Sequence, residues 1–253
     1  MEQNNDQVGD LTTTASYHDQ RSRSQKPLFL AKDFKSVKKL LLFVGWPRSC
    51  SSFVGSLLDG HPHMVIGDEF GLLRRLQAGQ LNMSRESILK ELYYSSWCGS
   101  VSGLRAKAED SKGYSLIFTG LLQGNYEDHV DVIGDKFAGG VSKDFTAHSE
   151  AFVDTLRELR KTLDIPIYAI RVVRNPFDNI ATIALYNSLG SRTSFKDFSK
   201  RNFHHPFDLN STTRLYFQLY TASEQVVSLV DKAVDVHCSE LATIKSTANT
   251  CPA

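Results

Sequence analysis

Apolar positions follow two rhythms along this chain. KKLLLFV (38–44), MVI (64–66), DVIGDK (131–136), IPIYAIRVV (165–173) and AVDVH (233–237) are short runs of strand length. Most are apolar throughout rather than alternating, which predicts strands covered on both faces, the habit of a parallel sheet. Between them the spacing is helical. SSFVGSLLDG puts Phe53, Leu57 and Leu58 on one predicted stripe, and Gly60 before His61-Pro62 marks the helix end. ESILKELYY, residues 146–163 and residues 213–231 also read as helices. In RNPFDNIATIALYN, Asn175 is a suitable N-cap and Pro176 suits the first helical position. Residues 81–124 mix helical spacing with Ser/Gly-rich segments and give the weakest pattern. Strands alternating with helices predict an α/β fold of three layers, a central parallel sheet flanked by helices. Ligands of such sheets bind at the carboxyl ends of strands, so the junctions at residues 45–52 and 174–178 are the expected place for chemistry.

Composition narrows the picture. The 253 residues suffice for one large domain or two small ones. The first 25 or so residues are polar, with little to bury, and are expected to be disordered. The basic stretch that follows (Arg21, Arg23, Lys26, Lys32, Lys35, Lys38, Lys39) reads as a solvated approach to the first strand. The expected organisation is a polar and basic tail over 1–35 and an α/β domain over 36–253. Lys and Arg total 29 against 28 Asp and Glu, a formal net charge of +1, which argues against a dedicated nucleic-acid binder. No apolar run approaches the ~20 residues of a membrane span, and the opening MEQNNDQ is not a secretory leader. A cytoplasmic protein without a membrane segment is expected. Cys50, Cys98, Cys238 and Cys251 form no C-x-x-C pair or zinc ladder and read as free thiols, with one or two disulfides left open as the alternative.

The first junction reads Gly45-Trp46-Pro47-Arg48-Ser49-Cys50-Ser51-Ser52. A turn from a buried strand into a helix directs backbone N–H groups and the positive end of the helix dipole at one point. The Arg48 guanidinium and the hydroxyls of Ser49, Ser51 and Ser52 make that point suited to a tetrahedral oxyanion. It is not a Walker A loop: Cys50 stands where the second glycine belongs and Ser51 where the lysine belongs. At the second junction, Arg174 ends a strand and Thr182 lies eight residues on, four beyond Asp178, an arrangement able to hold a second phosphate.

Taken together, GxPRSxxS…LLDGHP and RNPxDxxxT resemble the 5′-phosphosulfate and 3′-phosphate motifs of the sulfotransferases that use PAPS, 3′-phosphoadenosine 5′-phosphosulfate. The PRSxxS…LLDGHP…GDE run is most similar to the tyrosylprotein and carbohydrate branches. The resemblance extends from about Lys39 to Leu241, strongest at the two motifs and VIGDK. It implies a P-loop-like fold and PAPS as co-substrate, with no metal and a hydroxyl-bearing acceptor (carbohydrate, tyrosine or small molecule). Arg48, Ser49, Cys50, Ser51, Ser52 and Phe53 would form the phosphosulfate loop. Arg174 and Thr182 would bind the 3′-phosphate. Glu69, in GDEF, falls where the tyrosylprotein branch has its catalytic base; Arg48 and Lys136 would stabilise the transferring group. Sulfuryl transfer needs such a base, cations on the developing charge and in-line positioning. Asp68 is the alternative carboxylate. The competing role for Asp68-Glu69 is to cap the helix that follows. His61 and His63 are weaker candidates for the base, since His61-Pro62 belongs to the helix-ending turn, and the adjacent His204 and His205 read as loop histidines.

The sequence departs from the family in three places. Cys50 replaces a glycine, Thr182 replaces a serine, and the chain ends in ELATIKSTANTCPA where relatives continue through a helix and a basic loop, so the domain is expected to be incomplete there. Relatives of these branches reside in the Golgi behind a membrane anchor, a location open to this chain if it is a fragment. These departures keep two alternatives in view. One is a non-catalytic relative acting through nucleotide or protein contacts; the other is a degenerate P-loop kinase or NTPase, which the missing lysine disfavours.

Overall fold

A computed structural model of the chain describes residues 29–102, 105, 116–189 and 208–241. The tail up to residue 28, residues 190–207 with His204 and His205, and the C-terminal segment with Cys251 lie outside the described residues. Five strands form one sheet: β1 Lys39–Val44, β2 Met64–Asp68, β3 Val132–Lys136, β4 Ile167–Val173 and β5 Lys232–His237. All pairings are parallel, in the order β2-β3-β1-β4-β5. Seven α-helices connect them among the described residues: α1 Ser51–Asp59, α2 Leu72–Gln77, α3 Arg85–Val101, α4 Ala138–Ala147, α5 Ser149–Leu163, α6 Pro176–Leu189 and α7 Leu209–Ser228. The result is the three-layer α/β fold, a central parallel sheet flanked by helices, that the strand–helix alternation predicts.

β1 explains the layering. Its residues alternate across the sheet. Leu40, Leu42 and Val44 enter a large core with Val141 of α4, Phe152 and Leu159 of α5 and Val226 of α7. Leu41 and Phe43 face the other way and meet Val54 of α1, with Ile66 and Val172 from the flanking strands. β1 therefore sits between both layers, and the chain leaves it first to one side (β2, β3) and then to the other (β4, β5). The crevice beyond its carboxyl end is the switch point at which such sheets take ligands.

Four expectations change. The helix expected over 146–163 is two helices, broken at His148 (φ −147°, ψ 61°); α4 carries Gly139 and Gly140, poor helix formers that hide it from a propensity reading. The stripe Phe53, Leu57, Leu58 is not the buried face of α1, which is Val54, Gly55, Ser56 and Asp59. β5 is open on both faces at the edge of the sheet rather than covered. Finally, residues assigned to the tail pack on the domain: a 3-10 turn at Ala31–Phe34 buries Phe34 against Phe29, Tyr93 and Tyr126.

Candidate functional site

The two junctions meet because β1 and β4 are neighbours. Arg174, just past β4, donates from Nη1 to the Arg48 carbonyl at 3.1 Å, and Asn179 Nδ2 of α6 donates to the Pro47 carbonyl at 3.1 Å. The first loop is held from three further directions. The Gly45 amide donates to Ser142 Oγ of α4 at 3.2 Å. Trp46 is buried against the Tyr216 ring of α7, with centroids 5.0 Å apart. The Arg48 guanidinium lies 3.6 Å from the centre of the Tyr186 ring on α6.

Within this frame the loop takes an unusual backbone. Arg48 (φ 65°) and Cys50 (φ 74°) are both left-handed, while Ser49 between them is buried. Left-handed residues alternating with ordinary ones turn successive N–H groups toward one concavity, and the first-turn amides of α1 follow directly. Ser51, Ser52 and Phe53 are half-buried there, and Phe53 rests edge-on against Phe118 at 5.7 Å. Cys50 thus occupies a conformation that glycine adopts freely and an L-residue does not. Its sulfur is bonded to that of Cys238, which corrects the expectation of free thiols for this pair; Cys98 is free and exposed.

Lys136 closes the site from β3. Its side chain has no exposed surface, and Nζ lies 2.8 Å from Asp68 Oδ1, 2.5 Å from Glu69 Oε1 and 3.3 Å from Ser52 Oγ. A buried ammonium needs paired charge, and these two carboxylates supply it. Glu69 keeps part of its carboxylate in solvent, and its backbone, too, is left-handed (φ 54°). The helix-capping role for Asp68 and Glu69 does not hold. The Phe70 and Leu72 amides at the start of α2 donate instead to Asp135 Oδ1 and Oδ2, at 3.2 and 2.7 Å. Burial pushes the Asp135 carboxyl up to about 7 despite those two bonds.

Behind this group lies a cluster that sequence reasoning missed. Asp59, the last residue of α1, accepts from the Ile66 amide (2.6 Å), Ser96 Oγ (2.6 Å) and the Gly124 amide (2.9 Å), and pairs with the buried Arg105. Arg105 also donates to the Ile66 carbonyl at 2.8 Å, and its Nε is 3.9 Å from Asp68 Oδ1. Burial raises the Asp59 carboxyl from its usual range, against the Arg105 charge and the three hydrogen bonds. One signal was readable: an acid in the last turn of a helix opposes the helix dipole and so requires a partner. Nothing local identifies that partner as Arg105.

Other predicted residues fall differently. Asn175 caps α6 as expected, its Oδ1 accepting from Phe177 N at 2.9 Å. The Thr182 hydroxyl donates to the Asp178 carbonyl at 2.6 Å, so its proton is committed to its own helix. His61 and His63 stand at the opposite, amino end of the sheet. There the fold does gather metal-capable side chains (His63, Asp128 and His129), a grouping that sequence spacing does not reveal. A groove of about 680 Å³ opens elsewhere, lined by Phe145, Thr146, Arg214, Phe217 and Gln218, and includes neither loop. No described helix is long and apolar enough to cross a membrane.

No family model matches the chain, and no curated protein matches it in sequence. Among solved structures it is similar to one described as "a putative kinase from chloroflexus aurantiacus". That likeness has 12% identity, a TM-score of 0.34, and covers 85% of this chain and 100% of that one. At that score the likeness carries no argument, and the fold rests on the sheet itself.

Proposed function

We propose that the chain is a sulfotransferase that moves the sulfuryl group of PAPS to an acceptor hydroxyl. The observation that carries this reading is the setting of Lys136, a buried ammonium shared by the anion loop through Ser52 and by a partly exposed carboxylate, Glu69. That arrangement puts a cation where negative charge must be balanced and a base beside it. The resemblance of the two loop motifs to those of PAPS-dependent enzymes supplies the group being moved.

The residues fit such a co-substrate in most respects. The left-handed turn at Arg48 and Cys50 and the amides opening α1 suit a tetrahedral anion, and Arg174, held beside the loop, suits a second one. PAPS brings an activated sulfuryl group on a phosphate leaving group. For their part, Ser51, Ser52 and the loop amides bind the anion, Lys136 balances its charge, and Glu69 takes the acceptor proton. Thr182 fits less well, since its hydroxyl already donates within α6. The alternative, which Cys50 at the glycine position favours, is a nucleotide-binding relative without turnover that binds the desulfated nucleotide PAP but transfers sulfate to no acceptor.

Calorimetric titration with PAP, with ATP as control, tests the reading. Micromolar PAP binding that exceeds ATP binding, and that falls by at least about tenfold in Arg174→Ala, is expected for loss of a charge-assisted phosphate contact. ATP binding that requires Mg²⁺ and outcompetes PAP would move the assignment to a kinase or NTPase.

A further inference from the structure

The left-handed residue at the tip of the anion loop is a cysteine, and its sulfur is not idle. Cys50 is joined to Cys238, 188 residues later, with Cα atoms 6.2 Å apart. Cys238 directly follows β5, so the bond ties the end of the edge strand to the loop after the central strand. Both cysteines keep part of their surface in solvent, and among the described residues β5 pairs with β4 alone. The tether is therefore partly exposed to a small thiol, and β5, paired with β4 from Lys232 to His237 and tied to it by the Arg171–Asp235 ion pair, anchors it.

We propose that Cys238 is a positioning residue of the anion loop. Its disulfide holds Cys50 in the left-handed turn that glycine would take unaided, and reduction of that bond loosens the loop and weakens anion binding. The physical reason is local. An L-residue is unfavourable in the left-handed region, so a free Cys50 drifts toward ordinary backbone angles and turns the amides of the loop away from a common point. The covalent link to β5 opposes that drift. Reduction by a dithiol proceeds by exchange: one reductant thiolate attacks a sulfur of the pair to form a mixed disulfide, and its second thiolate then displaces the protein thiolate. Cys50 and Cys238 end as two thiols, and the dithiol as its own disulfide.

The binding consequence rests on the nucleotide reading above; the loop consequence does not, and the test separates them. Air-oxidised and dithiothreitol-reduced protein are compared as wild type, Cys238→Ser and Cys50→Gly/Cys238→Ser. Non-reducing peptide mapping checks the bond, amide hydrogen exchange reads residues 49–54, and calorimetry reads PAP. Reduction of the wild type should speed exchange in 49–54 and weaken PAP by about tenfold, the scale of one unfavourable left-handed residue. Cys238→Ser should match the reduced wild type with or without reductant. The double variant, with glycine at position 50, should exchange more slowly in 49–54 and bind PAP more tightly than Cys238→Ser, and should ignore reductant. That rescue is what a merely stabilising cross-link would not give. No Cys50–Cys238 peptide, unchanged exchange on reduction, or a glycine variant as weak as Cys238→Ser would each overturn the proposal. Exchange that responds while no form binds PAP would leave the loop inference standing and remove the nucleotide reading. PAP binding that is equal in all forms, with exchange unchanged, would do the reverse.

Discussion

Lys136 draws together the chemistry of three separate segments. Its ammonium touches Asp68, Glu69 and Ser52, and its stem passes so close to α1 that only glycine fits there: a Cβ at Gly55 would lie 2.8 Å from Lys136 Cγ. Those stem atoms stand near the backbone of β3 and have little freedom to give way. Gly55→Ala is therefore expected to cost roughly 1–3 kcal/mol, measured by urea denaturation. A loss below a few tenths would show that the approach is not tight. Glu69 yields a different expectation. In its proposed role as the base, Glu69 would contribute roughly 10²–10⁴-fold to transfer, so Glu69→Gln should reduce turnover by that factor while PAP still binds. Unaltered turnover would remove Glu69 from the mechanism. At this scale the loop was legible as a turn of serines and an arginine between a strand and a helix, because residue type and spacing are local. The left-handed turns at Arg48 and Cys50 were readable only at Cys50, and only as a conflict with a glycine pattern.

Among the elements, the short helix α2 is the most informative. Its first amides are capped by Asp135, from a strand 63 residues away, rather than by Asp68 or Glu69 just before it. That frees both acids to face Lys136. The cap has a pH consequence. Asp135 has a native pKa of about 7 against an ordinary value of 3.8. Between those values the native state holds a proton that the unfolded chain has released, so stability falls as pH rises through this window and levels off above it. The decline should be on the order of 1 kcal/mol per pH unit. Denaturant midpoints from pH 4.5 to 8 should show it, and Asp135→Asn should flatten the slope even if it lowers the overall stability. A wild-type midpoint that climbs with pH would contradict the assignment. Elements announced by strong local patterns, such as β1, β4 and α6 with its Asn175 cap, were legible in the sequence. α4 was not, because packing against β1 and α7 outweighs its two glycines.

For the molecule as a whole, a buried charge network spans α1, β2, β3 and the segment that carries Arg105. Asp59 and Arg105 have no exposed side-chain surface, and Arg105 approaches Asp68, which in turn pairs with Lys136. Removing one member leaves its partner charged and unpaired in the interior. Arg105→Ala is expected to destabilise by about 3–5 kcal/mol, read by thermal or urea unfolding. A loss under about 1 kcal/mol would mean that water reaches Asp59.

What the sequence determined by itself is the alternation of strand and helix, the parallel character of the sheet, and the two strand–helix turns with the residues proposed to bind anions. These follow from local causes: apolar runs, a proline and an asparagine at a helix start, serines and arginines next to a turn. The tertiary structure decided which distant groups meet. It set Arg174 on the carbonyl of Arg48, Glu69 and Asp68 on Lys136, Arg105 on Asp59, and Cys238 on Cys50. Each of these pairings depends on strand order and register. Those come from burying both faces of the whole sheet at once, a requirement that no local stretch of residues encodes.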